Sequence, residues 1–599
     1  MNQTSICELV RKAEQDFTKG KVKVGKYVNW SMHDTLETIT AYLNSRHTSG
    51  DRDSLGREKP FFNICSAAAN IWYRATDIDR KDIRLIPKNS KQVVLAFVGQ
   101  VILQDWMIRE RFGVFLNLWG RALSRYGSAD VKFVEQNGRL IPSVVPWNRL
   151  IVDPISFDAL PTIEKLYFTP EQLRKNSAYN QEMVDKLIDG VIARKNLDGE
   201  SVDLKSNFIE VYEVHGELPV ALLKENPTDD DWKSYRQQMH VVTFLEVGDK
   251  DSGDYSEYTL YKGKEKKNPN MITHLIEEDG RTLSIGAVEY LFDAQWMQNH
   301  TIKAQRDYLD LASKLVFQTS DSHFLGRNVL SAIETGDILI HAQNQPLTQV
   351  NNTVMNMQAL TAFSNQWLVL AKEITSTPDA VRGNTMPSGT PYSLGVILQQ
   401  QAGSLFEIMT ESKGLHIEDM LREYVIPFIK KQMDTSEEIG AILDDNNIAQ
   451  IDAMYVPQEA IKRYNKKAID EFIVNDTIPS PYQKDIAEME VKQELAPLGN
   501  QRFFKPSEIL TMTWAKLLKD FEWKVKVEVT NEDSDKQAIL QSLNTVYQTI
   551  VNATKNPNDP NAKLVFSEIL NRTGTISPLQ LSTTASAPVP TQPVESLPA

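Results

Sequence analysis

Residue types that could do chemistry are present in this sequence, but their spacing matches no common catalytic motif. The Gly-Lys pairs that begin at Gly20, Gly25 and Gly263 lack the spacing and the following hydroxyl of a phosphate-binding loop. The 9 histidines form no His-Glu-x-x-His motif, and the chain has no Gly-x-Ser-x-Gly or Gly-x-Gly-x-x-Gly. Among 79 acidic residues, close carboxylate pairs arise by chance. We therefore expect no catalytic residue, no metal, no cofactor and no enzyme activity.

The charge balance bears on which partners the chain can have. Its formal net charge of −14 argues against a tight, general nucleic-acid binder, which would show a basic face. It does not argue against a surface past which DNA slides, because strong phosphate contacts would act there as a brake. The basic run Lys262–Lys267 could meet phosphates, but a solvated loop is the simpler interpretation.

Cysteine usage and hydropathy indicate a reducing cytosol and no membrane segment. Cys7 and Cys65 are the two cysteines and form no Cys-x-x-Cys pair, so neither a disulfide framework nor a zinc cluster is indicated. The most apolar run, 93–103, is short and is broken by Gly99 and Gln100. We expect no membrane span and no signal peptide.

Two long helical patterns dominate the middle of the chain. From Gly286 to Gln318 apolar residues recur every three or four positions, which predicts a helix about 45 to 50 Å long. A second helix is predicted from Thr353 to Ile374, with no charged residue before Lys372. A helix whose polar positions are Asn, Gln and Ser rather than Lys and Glu is expected to be packed on most sides.

The segments around these helices have distinct patterns. Between them, 329–333 and 337–340 predict short strands around Glu334-Thr335-Gly336. After the second helix, the Pro- and Gly-rich stretch 375–391 predicts a long loop. A further helix is predicted from 392 to 433, interrupted at Gly414 and near Pro427.

The first 285 residues predict an α+β domain. Asn137-Gly138 between alternating apolar residues predicts a tight hairpin, and Thr169-Pro170-Glu171 predicts the start of a helix. Further helices and strands are predicted at 60–77, at 101–126 with an end at Gly127, and at 208–214, 241–247, 258–261 and 271–277.

The last third of the chain is predicted to be mainly helical. Helical patterns occur near 458–472, 484–495 and 506–521, and Trp523–Val529 alternates as a half-buried strand does. The tail 582–599 is rich in Pro, Ser and Thr and has too few large apolar residues to fold, so it is predicted to be disordered.

This order resembles the portal proteins of tailed double-stranded DNA bacteriophages, which form the head-tail connector ring. The matching parts run from Gly286, through the helix that contains Gln295 and Asn299, to Pro427; Pro60-Phe-Phe-Asn-Ile64 upstream is similar too. The resemblance implies a multidomain α+β, portal-like fold. Its implied parts are an α/β wing (1–285), first stem helix (286–318), small β clip (319–352), antiparallel second stem helix (353–374), tunnel loop (375–391), long broken wing helix (392–433), mainly helical C-terminal wing or crown region (434–581) and Pro-rich tail (582–599).

The resemblance also implies function. A homo-oligomeric ring, typically a dodecamer, would sit at one capsid vertex of the virion after assembly in the host cytoplasm. Double-stranded DNA would be packaged through it by a separate terminase, retained and ejected. The major capsid protein and a head-tail adaptor would be further partners. The implied DNA-facing residues are Asp379, Arg382, Gly383, Asn384 and Thr385, and the implied clip residues that face motor and adaptor are Glu334, Thr335, Gly336 and Asp337.

Other interpretations fit the same residues. The two long helices could be a pair buried in a large core, and the segment between them a hairpin that decorates it. Two other functions stay open: another connector or scaffold of the virion, and a DNA-processing enzyme with a dispersed acidic site, which metal-dependent cleavage by the purified protein would reveal.

Overall fold

The protein is of mixed helix and sheet class. The computed structural model describes residues 5–24, 28–80, 83–87, 93–197, 208–224, 226–246, 255–312, 317–322, 342–346, 348–349, 357–377, 392–435, 439–442, 445–475, 482–498, 501–504, 523–527, 543–550 and 552. The chain divides into two compact units: one comprises Met1–Asp77 and Val114–His416, the other Ile78–Gly113 and Ile417–Ala599.

The named helices, in chain order, are α1 (Ile6–Lys19), α2 (Met32–Leu43), α3 (Ile64–Ala75), α4 (Val93–Arg109), α5 (Phe112–Tyr126), α6 (Pro170–Lys175), α7 (Gln181–Leu197), α8 (Phe292–Ala312), α9 (Met357–Ile374), α10 (Tyr392–Met420), α11 (Ile426–Thr435), α12 (Asp445–Asn475) and α13 (Tyr482–Leu495). The strands are β1 (Val22–Val24), β2 (Val28–Trp30), β3 (Ile83–Pro87), β4 (Ser128–Gln136), β5 (Arg139–Val145), β6 (Leu150–Ile151), β7 (Thr162–Phe168), β8 (Ile209–Pro219), β9 (Tyr235–Glu246), β10 (Tyr255–Lys264), β11 (Asn270–His274), β12 (Phe317–Gln318), β13 (Thr348–Gln349), β14 (Ile439–Ile442), β15 (Gln501–Phe504) and β16 (Trp523–Val527).

Two antiparallel sheets form the frame of the first unit. The larger has the strand order β10-β9-β8-β7-β6, and the smaller has the order β11-β4-β5. Along β8, Val214 packs with α1 on one face of the larger sheet, while Val211 packs with α7 on the other. This alternation buries both faces, as the period of a strand requires.

Several local predictions for the first unit are confirmed. Asn137 and Gly138 connect β4 to β5 with φ of 52° and 72°, which is the conformation that a tight hairpin turn needs. Thr169 forms a reciprocal capping box with Gln172 at the start of α6. Gly127, at φ 78°, follows the last residue of α5. The four strands predicted between 208 and 277 correspond to β8, β9, β10 and β11.

Two helix predictions in the first half had wrong bounds, and helical structure around 101–126 already begins at Val93. The helix predicted over 101–126 is two helices, α4 and α5, because Arg111 adopts a positive φ of 53° between them. The helix predicted over 60–77 begins only at Ile64, where the Asn63 side chain accepts a hydrogen bond from the Ser66 amide and caps it.

The bounds of the first long helix also need correction. A single 3-10 turn (Glu289–Leu291) precedes α8, because the backbone next to Gly286 is bonded to the end of α5, where the Ala287 amide donates to the Ser124 carbonyl. At the far end, Phe317 and Gln318 pair with Gln349 and Thr348 as strands rather than continuing the helix to 318. The second long helix ends at Ile374 as predicted.

The helix predicted over 392–433 is not interrupted at Gly414. α10 runs through this position, because a single glycine costs about 1 kcal/mol in a helix and Gly414 is buried against neighbouring elements. The irregularity predicted near Pro427 is present as a π-helical turn (Leu421–Val425) between α10 and α11. Pro427 lacks the amide that would continue regular hydrogen bonding in this turn.

The second unit contains pairings between distant parts of the chain. β16, predicted as a lone half-buried strand, pairs with β3 in the register Ile83↔Val527. Gln100 of α4 accepts a hydrogen bond from the Leu85 amide at 2.7 Å and donates one to the Ile83 carbonyl, which fixes β3 against this helix. α12 and α13 pack antiparallel, since Arg463 pairs with Glu494 and Lys467 with Glu490.

Candidate subunit interface on the α8–α9 helix pair

α8 and α9 form an antiparallel pair joined by buried polar side chains. Midway along both helices, the Gln298 Nε2 donates to Ser364 Oγ at 2.7 Å. Trp72 contacts the outer ends of both: its ring lies 6.1 Å from the Tyr290 ring, and its indole N–H donates to the Thr375 carbonyl at 2.9 Å. Since the beginning of α8 and the end of α9 meet at Trp72, the two helices run in opposite directions, as predicted.

Gln295 fixes α8 to the start of α3. Its carbonyl oxygen accepts from the Ile64 and Cys65 amides at 2.9 and 3.3 Å. Its amide donates to the Phe62 carbonyl at 2.7 Å and to Asn299 at 3.0 Å. These bonds satisfy first-turn amides of α3 that have no partner inside the helix. Gln295 and Asn299 belong to the segment that resembles portal proteins. However, no neighbouring residue in the sequence predicted that they bind the start of α3.

Replacing Gln295 with leucine should destabilise the first unit by about 2 to 4 kcal/mol, because the Ile64 and Cys65 amides would lose their acceptor. Denaturant unfolding followed by tryptophan fluorescence measures this. Gln136→Leu, at an exposed strand end, is the control and should change stability by less than about 0.5 kcal/mol. Equal midpoints for the two variants would contradict the role given to Gln295.

The far half of α8 is held by a charged loop. Arg57 pairs with Asp53 at 2.9 Å within the loop, and with Asp307 and Asp310 of α8 at 2.8 and 3.3 Å. Arg57, Asp307 and Asp310 are partly exposed, so each of the two pairs that reach α8 contributes little by itself. Their convergence on one guanidinium sets where the loop 51–59 lies along the helix.

The exposed surface of α9 includes large apolar side chains, and this helix has no charged residue before Lys372. Phe363, Leu370 and Ile374 are spaced seven and four residues apart, lie on one flank of α9 and are 41%, 38% and 50% exposed. We call these three residues the α9 stripe. On α8, the exposed Trp296 ring stacks on His300 at 5.6 Å. Large exposed apolar side chains grouped on one surface are typical of protein interaction sites.

Most residues of the charge-poor α9 are exposed, as far as the structure describes the chain. The sequence predicted a helix packed on most sides, but Ser364 and Ala371 are the residues of α9 that are buried in the part of the chain that the structure describes. The prediction that α9 is packed on most sides is therefore not met among the described residues.

The structure does not describe the predicted tunnel-loop and clip residues. Asp379, Arg382, Gly383, Asn384 and Thr385, and Glu334, Thr335, Gly336 and Asp337, lie outside the described residues. The nearest described positions are Thr375–Thr377, directly after α9, and the β12–β13 pair at the base of the predicted clip. The beginning of the basic run, Lys262–Lys264, belongs to β10.

Within the described ranges, no three His, Cys, Asp or Glu side chains are grouped as ligands of a metal ion. No described helix is both long and apolar enough to span a bilayer. No model of a known protein family matches the sequence, and no curated protein matches it significantly.

Proposed function

We propose that the protein is a portal protein of a tailed double-stranded DNA bacteriophage. Copies of the chain would form a ring-shaped channel at one capsid vertex, through which a separate terminase packages DNA and from which the DNA is later ejected. The observation that carries the proposal is the antiparallel α8–α9 pair, whose second helix exposes the α9 stripe and has no charged side chain before Lys372. The serial order of the flanking segments adds support.

A ring of identical chains accounts for the composition of α9. In a head-to-tail ring, each helix pair meets a neighbour on both sides, so side chains exposed in one chain become buried in the assembly. Charged residues there would have to lose their hydration, which is costly, whereas Phe363, Leu370 and Ile374 gain from burial. Obligate interfaces of this kind bury about 2,000 Å² or more, which a helix pair of this length can contribute to.

The proposed mechanism is passive. The motor is on another chain, and this protein admits, retains and releases DNA by the width of its bore and by contacts of loops with phosphates. Arg382, with Asp379, Gly383, Asn384 and Thr385, would face the duplex, and Glu334–Asp337 would face the motor and later the adaptor. Phosphate contacts carry no base information, so no sequence preference is expected. A net charge of −14 suits a channel in which DNA must slide.

Placing a charge on the α9 stripe should prevent ring formation. Leu370→Asp would bury a carboxylate at the interface, so the purified variant should sediment as monomers while the wild type forms rings. Leu160→Asp is the matched control, because Leu160 is similarly exposed, 44% against 38%, but lies outside the helix pair. Analytical ultracentrifugation gives the oligomeric state, and negative-stain electron microscopy gives the rotational symmetry.

The outcomes separate the proposal from its alternatives. The portal proposal would be supported if the wild type and Leu160→Asp form rings with a hole about wide enough for a DNA duplex, and if Leu370→Asp forms no rings. Rings that survive Leu370→Asp would exclude α9 as the interface. Wild-type protein that stays monomeric in the presence of its capsid and scaffolding partners would overturn the proposal.

A further inference from the structure

A buried charged cluster joins the two sheets of the first unit. Lys132, on β4 of the smaller sheet, donates to Glu164 on β7 at 2.7 Å and to Glu213 on β8 at 2.9 Å, both in the larger sheet. Glu164 and Glu213 are directly opposite each other in the β7–β8 register. Two like charges in this position repel each other, so the Lys132 ammonium between them is needed.

His215 extends the cluster and is held by two carboxylates. Its Nε2 lies 2.7 Å from Glu213, and its Nδ1 lies 3.0 Å from Glu265. Ionised Glu213 and Glu265 can only accept, so they favour a His215 ring that carries two protons and donates from both nitrogens. Burial by itself lowers the pKa of His215, but the hydrogen bonds and charges of Glu213 and Glu265 outweigh it and raise the pKa above the ordinary value.

Asp130 faces the same cluster without a comparable partner. It is fully buried two residues before Lys132, and neither carboxyl oxygen has a hydrogen bond of normal geometry in the part of the chain that the structure describes. Burial and the charge of Glu164 raise its pKa well above the ordinary value, and the nearby Lys132, His215 and Met271 amide only partly oppose this. A neutral acid is the form that such a site favours.

Asn270 completes the polar surroundings of Asp130. It is opposite Lys132 in the β4–β11 register and therefore lies on the same face of the smaller sheet. Its side chain is also buried, and neither of its polar atoms has a hydrogen-bond partner among the described residues. Within this polar surface, Lys132 makes the hydrogen bonds that cross to the larger sheet. His215 bonds instead to Glu213 on its own strand and to Glu265 next to β10. Protons on His215 and Asp130 therefore act on the cluster through its charge balance.

We propose that this cluster, which we call the joint, is proton-operated: it stabilises the first unit while His215 and Asp130 are protonated, and it stabilises the unit less when they lose those protons as the pH rises. The proposal rests on contacts inside the first unit and does not depend on the portal proposal.

The direction of the pH effect is the same for both groups. His215 has a raised pKa in the folded protein, so its contribution is fully present below about pH 6.5 and is lost as the pH rises through the folded pKa. Asp130 also binds its proton more tightly when folded, so stability falls with rising pH from about pH 4 up to its folded pKa. Both groups weaken the joint as alkali is added.

Other titrating groups leave a clear window for the test. The groups that face the cluster have pKa values outside this window. The pKa of Lys132 is raised above its ordinary value, that of Glu213 is about 2, and that of Tyr179 is about 12. Burial lowers the pKa of His240 and His274 to about 4. Burial also lowers the pKa of Lys413 to about 8, so this group adds stability only at higher pH. Measurements between about pH 6.5 and 8 therefore report on the joint.

The experiment compares thermal unfolding of the full chain over this pH window. The wild-type midpoint should fall by about 2 °C per pH unit for each proton released. Asp130→Asn keeps the shape but has no proton to lose, so its midpoint should fall less steeply than that of the wild type in measurements extended from pH 8 down to about pH 4, the range in which Asp130 loses its proton. His240→Gln is the control at another buried histidine and should follow the wild-type slope between about pH 6.5 and 8.

If Asp130→Asn does not fold, a second measurement on the wild type can still test the proposal. Nitrogen NMR of the wild-type histidine rings, with the His215 signal assigned by its loss in His215→Gln, should show that the ring with two protonated nitrogens predominates at pH 6.5. An Asp130→Asn midpoint that follows the wild-type pH dependence over the whole range from about pH 4 to 8 would overturn the proposal. So would a His215 ring with a single proton at pH 6.5.

Discussion

Gly286→Ala is expected to destabilise the first unit by about 3 kcal/mol or more, the range of severe backbone clashes. A Cβ at Gly286 would lie 2.4 Å from the Arg125 carbonyl oxygen and 2.5 Å from the Gly127 nitrogen. Both are backbone atoms at the end of α5, so no side chain can rotate to relieve the overlap. The change would also displace the entry into α8, on which the proposed subunit interface depends.

Calorimetry of the purified variant measures this loss as a lower midpoint temperature for the unfolding of the first unit. Gly113→Ala is the control, because a Cβ there meets no atom within 4 Å. Gly113 lies within α5, so alanine should be neutral or stabilise by about 0.5 to 1 kcal/mol. If Gly286→Ala unfolds at the wild-type temperature, the close approach of Gly286 to α5 is not a constraint on folding.

Lys132→Met is expected to cost about 3 to 5 kcal/mol, the penalty for leaving a buried charge unpaired. The substitution would remove the ammonium that bridges Glu164 and Glu213, whose side chains are only 10% and 12% exposed. The two carboxylates would then face each other across β7 and β8 without compensation. One of them should take up a proton, so the loss should be smaller at low pH.

Denaturant unfolding at pH 7 and pH 5 measures both effects. Lys186→Met is the control, because Lys186 forms an exposed pair with Glu182 on α7 and should change stability by less than about 0.5 kcal/mol. Adding Glu213→Gln to Lys132→Met should recover part of the loss, since it removes one of the two facing charges. No recovery, or equal effects of the two lysine substitutions, would show that the cluster does not hold the sheets together.

The features that sequence reasoning predicted well are those decided by a few adjacent residues. The turn at Asn137-Gly138 forms because both residues tolerate a positive φ, whatever surrounds them. The start of α6 follows from Thr169, Pro170 and Gln172, which satisfy the first amides locally. The α8–α9 pair was predicted from apolar spacing, and its antiparallel course followed from the family likeness.

The errors occurred where distant contacts override local preference. Gly414 ends no helix because α10 is buried around it, and α8 stops before Gln318 because β12 pairs with β13. β3 and β16 are paired, although the sequence predicted no partner for the later strand.

The sequence by itself determined the α+β class, the turns, the helix caps and the apolar periods, because each depends on side chains within a few positions of one another. Only the tertiary structure decided that Lys132 meets Glu164 and Glu213, that Gln295 satisfies the start of α3, and that the α9 stripe is left uncovered. These features arise when residues far apart in the chain are brought together. There, the free energy of burying or pairing a group outweighs the small preferences that local sequence can express.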